Sequence, residues 1–92
     1  MKTMEQHFDE LEGLRRDAWR KKIELKDFFE RWYDGMRELA TMLENNVSPK
    51  LGDAYSELSR IVQDAEQNPD LESIGKIGKM LGRYKTAALS AV

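Results

Sequence analysis

The chain has 92 residues, with 15 Lys and Arg against 17 Asp and Glu, a net charge of −2 and no cysteine, which points to one domain and excludes disulfides, a thiolate nucleophile and cysteine-based metal sites. Charged residues make up 35% of it, against roughly 25% in an ordinary domain, yet the 40% apolar content, 6 Gly and 2 Pro argue against a disordered or linker chain. The longest uncharged stretch, 86–92, is far short of the about 20 apolar residues of a membrane span, and Met1 to His7 carry no apolar signal core; the expectation is a cytoplasmic protein without a membrane segment.

The first half repeats apolar residues at alternating spacings of four and three: Met4, Leu11, Ala18, Leu25, Trp32 and Leu39, interleaved with Phe8, Phe29, Met36 and Leu43. This is a heptad seam, interrupted by Arg15 and Lys22. Between Leu14 and Asp34 there is no Gly, Pro, Ser, Thr or Asn, and most residues there favour helix. The pattern predicts one helix over 3–44. A competing reading breaks it near Lys22, where Ile23 and Leu25 alternate like an extended segment.

Asn45-Asn46 supplies the stop. Ser48-Pro49 reads as an N-cap followed by proline in the first turn, opening a helix over 49–66 whose apolar face is Leu51, Ala54, Tyr55, Leu58, Ile61, Val62 and Ala65. Asn68-Pro69 repeats the signal and opens a helix over 69–88, with Ile74, Ile77, Leu81, Tyr84 and Ala88 on one face. The fold class is all-α. An unbroken first helix, about 63 Å long at 1.5 Å per residue, exceeds a compact chain of this size and implies a long helical hairpin with a kinked second arm. A break near Lys22 implies a compact three- or four-helix bundle.

Charge alternates by segment: −3 over 1–14, +4 over 15–26, −3 over 27–46, −3 over 47–70 and +3 over 71–92. Solvated, salt-bridged helix faces account for such a pattern most simply. Arg15, Arg16, Arg20, Lys21 and Lys22, with Lys76, Lys79 and Arg83, are the candidate basic surface. The acidic total weighs against a nucleic-acid partner.

Nothing in the sequence assembles a catalytic or metal centre. His7, the one histidine, lacks the companion ligands of a metal site and reads as an ordinary surface residue. Asp27, Glu30 and Asp34 share a helix face, as do Asp53 and Glu57, but carboxylates do acid–base work only in a cleft that shifts their pKa. Ser48, Ser56, Ser59, Ser73 and Ser90 have no adjacent base or nucleophile turn, and no glycine-rich phosphate loop occurs. No enzyme activity, cofactor or metal is expected.

The aromatic run carries more information. Leu25, Phe28, Phe29, Trp32, Tyr33 and Met36 form an apolar face wider than a heptad seam, and Trp19 extends its Tyr33 side on a continuous helical wheel. Such a face belongs to a core or to a protein-binding hot spot rich in Trp and Tyr. Gly75, Gly78 and Gly82 form a stripe suited to close helix packing. Trp32-Tyr33-Asp34-Gly35 is one residue longer than the Trp-x-Gly turn of small secreted helical hairpins and lies inside the predicted first helix, so that family is not indicated. These features predict a non-enzymatic protein-interaction module: a small adaptor, regulator or assembly subunit. It is expected to self-associate, most simply as an antiparallel dimer through the Trp32 face, with Arg15 and Lys22 either pointing to solvent past a frayed or broken helix or pairing to carboxylates of the second copy. A nucleic-acid accessory role through the two basic blocks is the rival expectation.

Overall fold

The structure, a computed structural model describing residues 2–46 and 48–91, is helical throughout its regular elements among the described residues. In chain order these are α1 (Met4–Trp19), α2 (Leu25–Met42), α3 (Pro49–Gln67) and α4 (Leu71–Ala91). The all-α expectation holds. The chain divides into two compact units, Met1–Glu44 and Asn45–Val92, each built on a pair of antiparallel helices.

The expected unbroken helix over 3–44 is not formed; the chain takes the break near Lys22. Lys21 N–H donates to Ala18 O at 3.1 Å and Lys22 N–H to Asp17 O at 2.8 Å. Together these are the two bonds of a Schellman stop. Its left-handed position is occupied by Lys21, at φ 59°. Glycine is the usual residue there, and a side chain costs about 1–2 kcal/mol. The stop therefore gives no glycine signal in the sequence. What outweighs its cost is the fold-back it permits. Phe8 and Leu11 of α1 are almost wholly buried, and burial of each such side chain contributes about 1.5–3 kcal/mol.

Within the first unit the partners run down one helix as they run up the other. His7 Nδ1 lies 3.2 Å from Glu38 Oε2, and Leu11 packs beside Gly35, where an added Cβ would sit 2.8 Å from Leu11 Cδ2. Gly35 thus stands at the α1–α2 contact, where a larger residue requires the Leu11 side chain to shift. α1 opens with a capping box: Gln6 N–H donates to Thr3 Oγ1 at 3.2 Å and Thr3 N–H to Gln6 Oε1 at 2.8 Å. α2 buries Phe28, Trp32, Met36 and Leu39, with Phe28 and Trp32 rings 5.7 Å apart. The two seam cations find simple solutions. Arg15 pairs with Glu12 of its own helix, and Lys22 is exposed in the α1–α2 connection. Lys22 thus takes the solvent alternative past a broken helix, and Arg15 is satisfied within its own helix.

The second unit follows its sequence signals closely. Ser48 Oγ accepts from Leu51 N–H at 3.4 Å, with Pro49 first in α3. α4 begins two residues later than expected, because Asp70 rather than Asn68 caps it: Ser73 N–H donates to Asp70 Oδ1 at 2.7 Å. That backbone donor holds the Asp70 carboxyl below the usual carboxylate range. Leu51, Leu58, Val62 and Ala65 of α3, and Ile74, Ile77, Met80, Leu81, Tyr84 and Ala88 of α4, are buried. Tyr55 meets Tyr84 edge-on with centroids 5.7 Å apart. Burial pushes the Tyr84 phenol up to about 12.

Candidate functional site

The structure separates the residues of the predicted aromatic face. Phe28, Trp32 and Met36 are interior, Trp32 at 1% exposure. Leu25 and Phe29 are half-buried. Trp19 and Tyr33 remain outside, at 45% and 37% exposure. The break explains the division. With Trp19 ending α1 and Tyr33 in the middle of α2, the shared wheel position that joined them no longer applies. A dimer through the Trp32 face loses its basis, since the largest members of that face are covered within the chain.

In exchange, the break brings Trp19 together with most of the first basic block. Arg16, Trp19 and Arg20 stand at i, i+3 and i+4 and so share one helix face. Lys21 and Lys22 follow in the turn, and Lys26 lies in the first turn of α2. All six residues are exposed. The five cations make no ion pair with any described residue, in contrast to Arg15 with Glu12, Arg37 with Asp34 and Lys2 with Glu10. Asp17 and Glu24 are the acidic residues within 16–26, leaving a local charge of +3 on a chain of net −2. The Schellman stop fixes the backbone of this turn, so its charges are displayed on an ordered frame rather than a loose loop.

The second basic block is more dispersed. Lys76 pairs with Glu72 at 3.7 Å and Arg83 with Glu57 at 3.9 Å, whereas Lys79 has no ion pair among the described residues. Lys79 and Arg83 line a groove with Ser48, Lys50, Ala54, Gly82, Thr86, Ala87, Ser90 and Ala91. Lys50 belongs to this site and to no motif; only its place in the first turn of α3, opposite the end of α4, reveals it. Gly75 and Gly82 correct the close-packing expectation. Both are exposed, and a Cβ at either would meet nothing within 4 Å. Gly78 is half-buried.

His7 also departs from expectation. It is 8% exposed rather than a surface residue, and it lines a groove of the first unit with Lys2, Glu10, Asp17, Arg31, Asp34 and Glu38 over a floor of Leu11, Leu14 and Gly35. His7 and Phe8 lie one helical turn before Leu11, and all three are buried, so histidine takes an inward position of α1. That groove offers no serine, threonine, tyrosine or cysteine to serve as nucleophile, and no group of three or more His, Cys, Asp or Glu suited to a metal ion occurs among the described residues. No helix there is long and apolar enough to cross a membrane. Compared with known proteins, the chain matches no family model, no curated protein and no solved structure.

Proposed function

We propose that this chain is a non-enzymatic protein-interaction module that docks through the α1–α2 turn. The observation that carries this reading is Trp19, 45% exposed among five cations without an ion pair to any described residue. An exposed tryptophan on an ordered frame is the kind of anchor that dominates protein interfaces. Covering it removes roughly 100 Å² of apolar surface from water, which is on the order of 2–3 kcal/mol. The surrounding Arg16, Arg20, Lys21, Lys22 and Lys26 select an acidic partner surface and speed its encounter. The acidic balance of the rest of the chain repels a polyphosphate backbone and favours protein over nucleic acid as the partner.

Affinity capture from the native host with wild type, Trp19→Ala and Met42→Ala tests this reading. Met42 is also exposed, at 40%, and controls for general stickiness. The expected result is a protein held by wild type and Met42→Ala and lost, by more than tenfold, from Trp19→Ala. The same purified protein should shift Trp19 emission to the blue. Retention on single-stranded oligonucleotides, with affinity falling steeply in log–log proportion to salt, would instead support the nucleic-acid reading.

A further inference from the structure

The second unit carries a separate surface that the α1–α2 turn does not involve. The groove between the start of α3 and the C-terminal half of α4 has a floor of Ala54, Gly82, Ala87 and Ala91, and cations at Lys50, Lys79 and Arg83. Among the described residues no Asp or Glu lines it. Lys50 and Lys79 have no ion pair among the described residues, and the one partner of Arg83, Glu57, stands at 3.9 Å. Elsewhere on this chain several exposed cations pair with a nearby carboxylate, as Lys2–Glu10, Arg37–Asp34 and Arg60–Asp64 show. Along α4 the lining runs from Lys79 to Ala91, about 18 Å at 1.5 Å per residue, or roughly three turns of helix. Its small side chains let a second helix approach closely.

We infer that this groove receives an amphipathic, acidic helix of about three turns from a protein partner, its alanine-sized or leucine-sized face on Ala54, Gly82 and Ala87 and its carboxylates against Lys50, Lys79 and Arg83. Charge complementarity selects this occupant: three cations on one groove, with no Asp or Glu among its described lining residues, favour an anionic helix and disfavour a basic or neutral one. Gly82 is the position that keeps the groove open. Its Cβ site is empty to 4 Å, so a bulky side chain there fills the groove without disturbing the fold.

The test uses the full chain, ¹⁵N-labelled, titrated with a synthetic helical peptide of Ala, Leu and Glu and with its Lys-for-Glu counterpart. The expected result is saturable shifts at Lys50, Ala54, Lys79, Gly82, Thr86 and Ala87 with the acidic peptide and none with the basic one. Gly82→Phe and the double variant Lys50→Glu, Lys79→Glu should each weaken binding at least tenfold, with unchanged helical content and an intact Trp19 response at the α1–α2 turn. The inference is overturned by no groove shifts with the acidic peptide, by equal binding of Gly82→Phe, or by stronger shifts at the same residues with an oligonucleotide. Concentration-dependent shifts of the chain alone at these residues would replace the partner helix with a second copy and also overturn it. Because the α1–α2 turn is read by Trp19 in the same sample, loss of one site is distinguishable from loss of the other.

Discussion

The two units reach the same design, an antiparallel helix pair, by different means. The second announces its boundaries with prolines: Ser48-Pro49 opens α3, and Pro69-Asp70 precedes α4. The first turns on a Schellman stop whose left-handed residue is Lys21. The second leaves Gly75 and Gly82 facing open space, while the first places Gly35 where helices meet. Glycine at a helix contact and glycine on a helix surface thus have opposite consequences, and the sequence presents both simply as mid-helix glycines. The turn with the less usual residue is also the one that displays Trp19 and its cations.

Substitutions sharpen this contrast, and the largest effect belongs to the two tryptophans. Trp32→Ala should cost about 3–5 kcal/mol, as removal of a buried aromatic does, whereas Trp19→Ala should stay within about 0.5 kcal/mol; urea unfolding of both measures the difference. Comparable losses would erase the distinction between a core and a display tryptophan.

The glycines should separate next. Gly35→Val forces a branched side chain onto Leu11 and should destabilise by about 1–3 kcal/mol. Gly75→Ala and Gly82→Ala should each stabilise by up to about 1 kcal/mol, from helix propensity and a less flexible unfolded chain. Thermal unfolding followed by circular dichroism distinguishes the three, and a fall in melting temperature for Gly75→Ala would mean that its face is covered.

At the turn, Lys21→Gly should add about 1 kcal/mol by relieving the left-handed side chain. Lys21→Val should lose stability, because a β-branched residue tolerates that conformation least. The same two variants in the partner-capture assay separate turn geometry from the charge of Lys21.

The remaining effects are titrations confined to the second unit. Tyr84 ionises near 12 when folded and at 10.0 ordinarily. Its contribution is therefore fully present below pH 10 and is lost as the pH climbs toward 12. Tyr84→Phe should flatten that alkaline decline. Asp70 has the opposite sign. Its folded carboxyl is depressed from 3.8, so its contribution is present above that value and fades as the pH falls below it. Asp70→Asn should remove that acid dependence while keeping a capping oxygen.

What the sequence discloses follows from the same contrast. Helix class, the interior faces of α3 and α4, and the Ser48 cap are legible because periodicity and proline chemistry act locally. The capping box at Thr3 and Gln6 emerges only from the structure, and its Thr-x-x-Gln spacing is the signal that could have found it. The α1–α2 break is half legible: the alternation of Ile23 and Leu25 marks it as a competing reading, but a heptad pattern survives across it and lysine stands where glycine usually marks the stop. That one event decides which aromatic residues are interior: Trp32 is enclosed, Trp19 is displayed, and the basic block becomes the surface of a turn rather than the side of a rod. The inward place of His7 beside Glu38, and the role of Lys50, depend on which helices fold back on which, and no local pattern encodes either.

The fold-back of α1 on α2 is the event on which the proposed docking turn depends, and a distance between two spin labels measures it most directly. The chain has no cysteine, so Glu5→Cys and Thr41→Cys place labels uniquely, both at exposed positions. Antiparallel helices packed about 8–10 Å apart predict a label separation below about 25 Å in pulsed electron resonance. An unbroken helix would place the same residues about 54 Å apart at 1.5 Å per residue, and a distribution centred there would contradict the account.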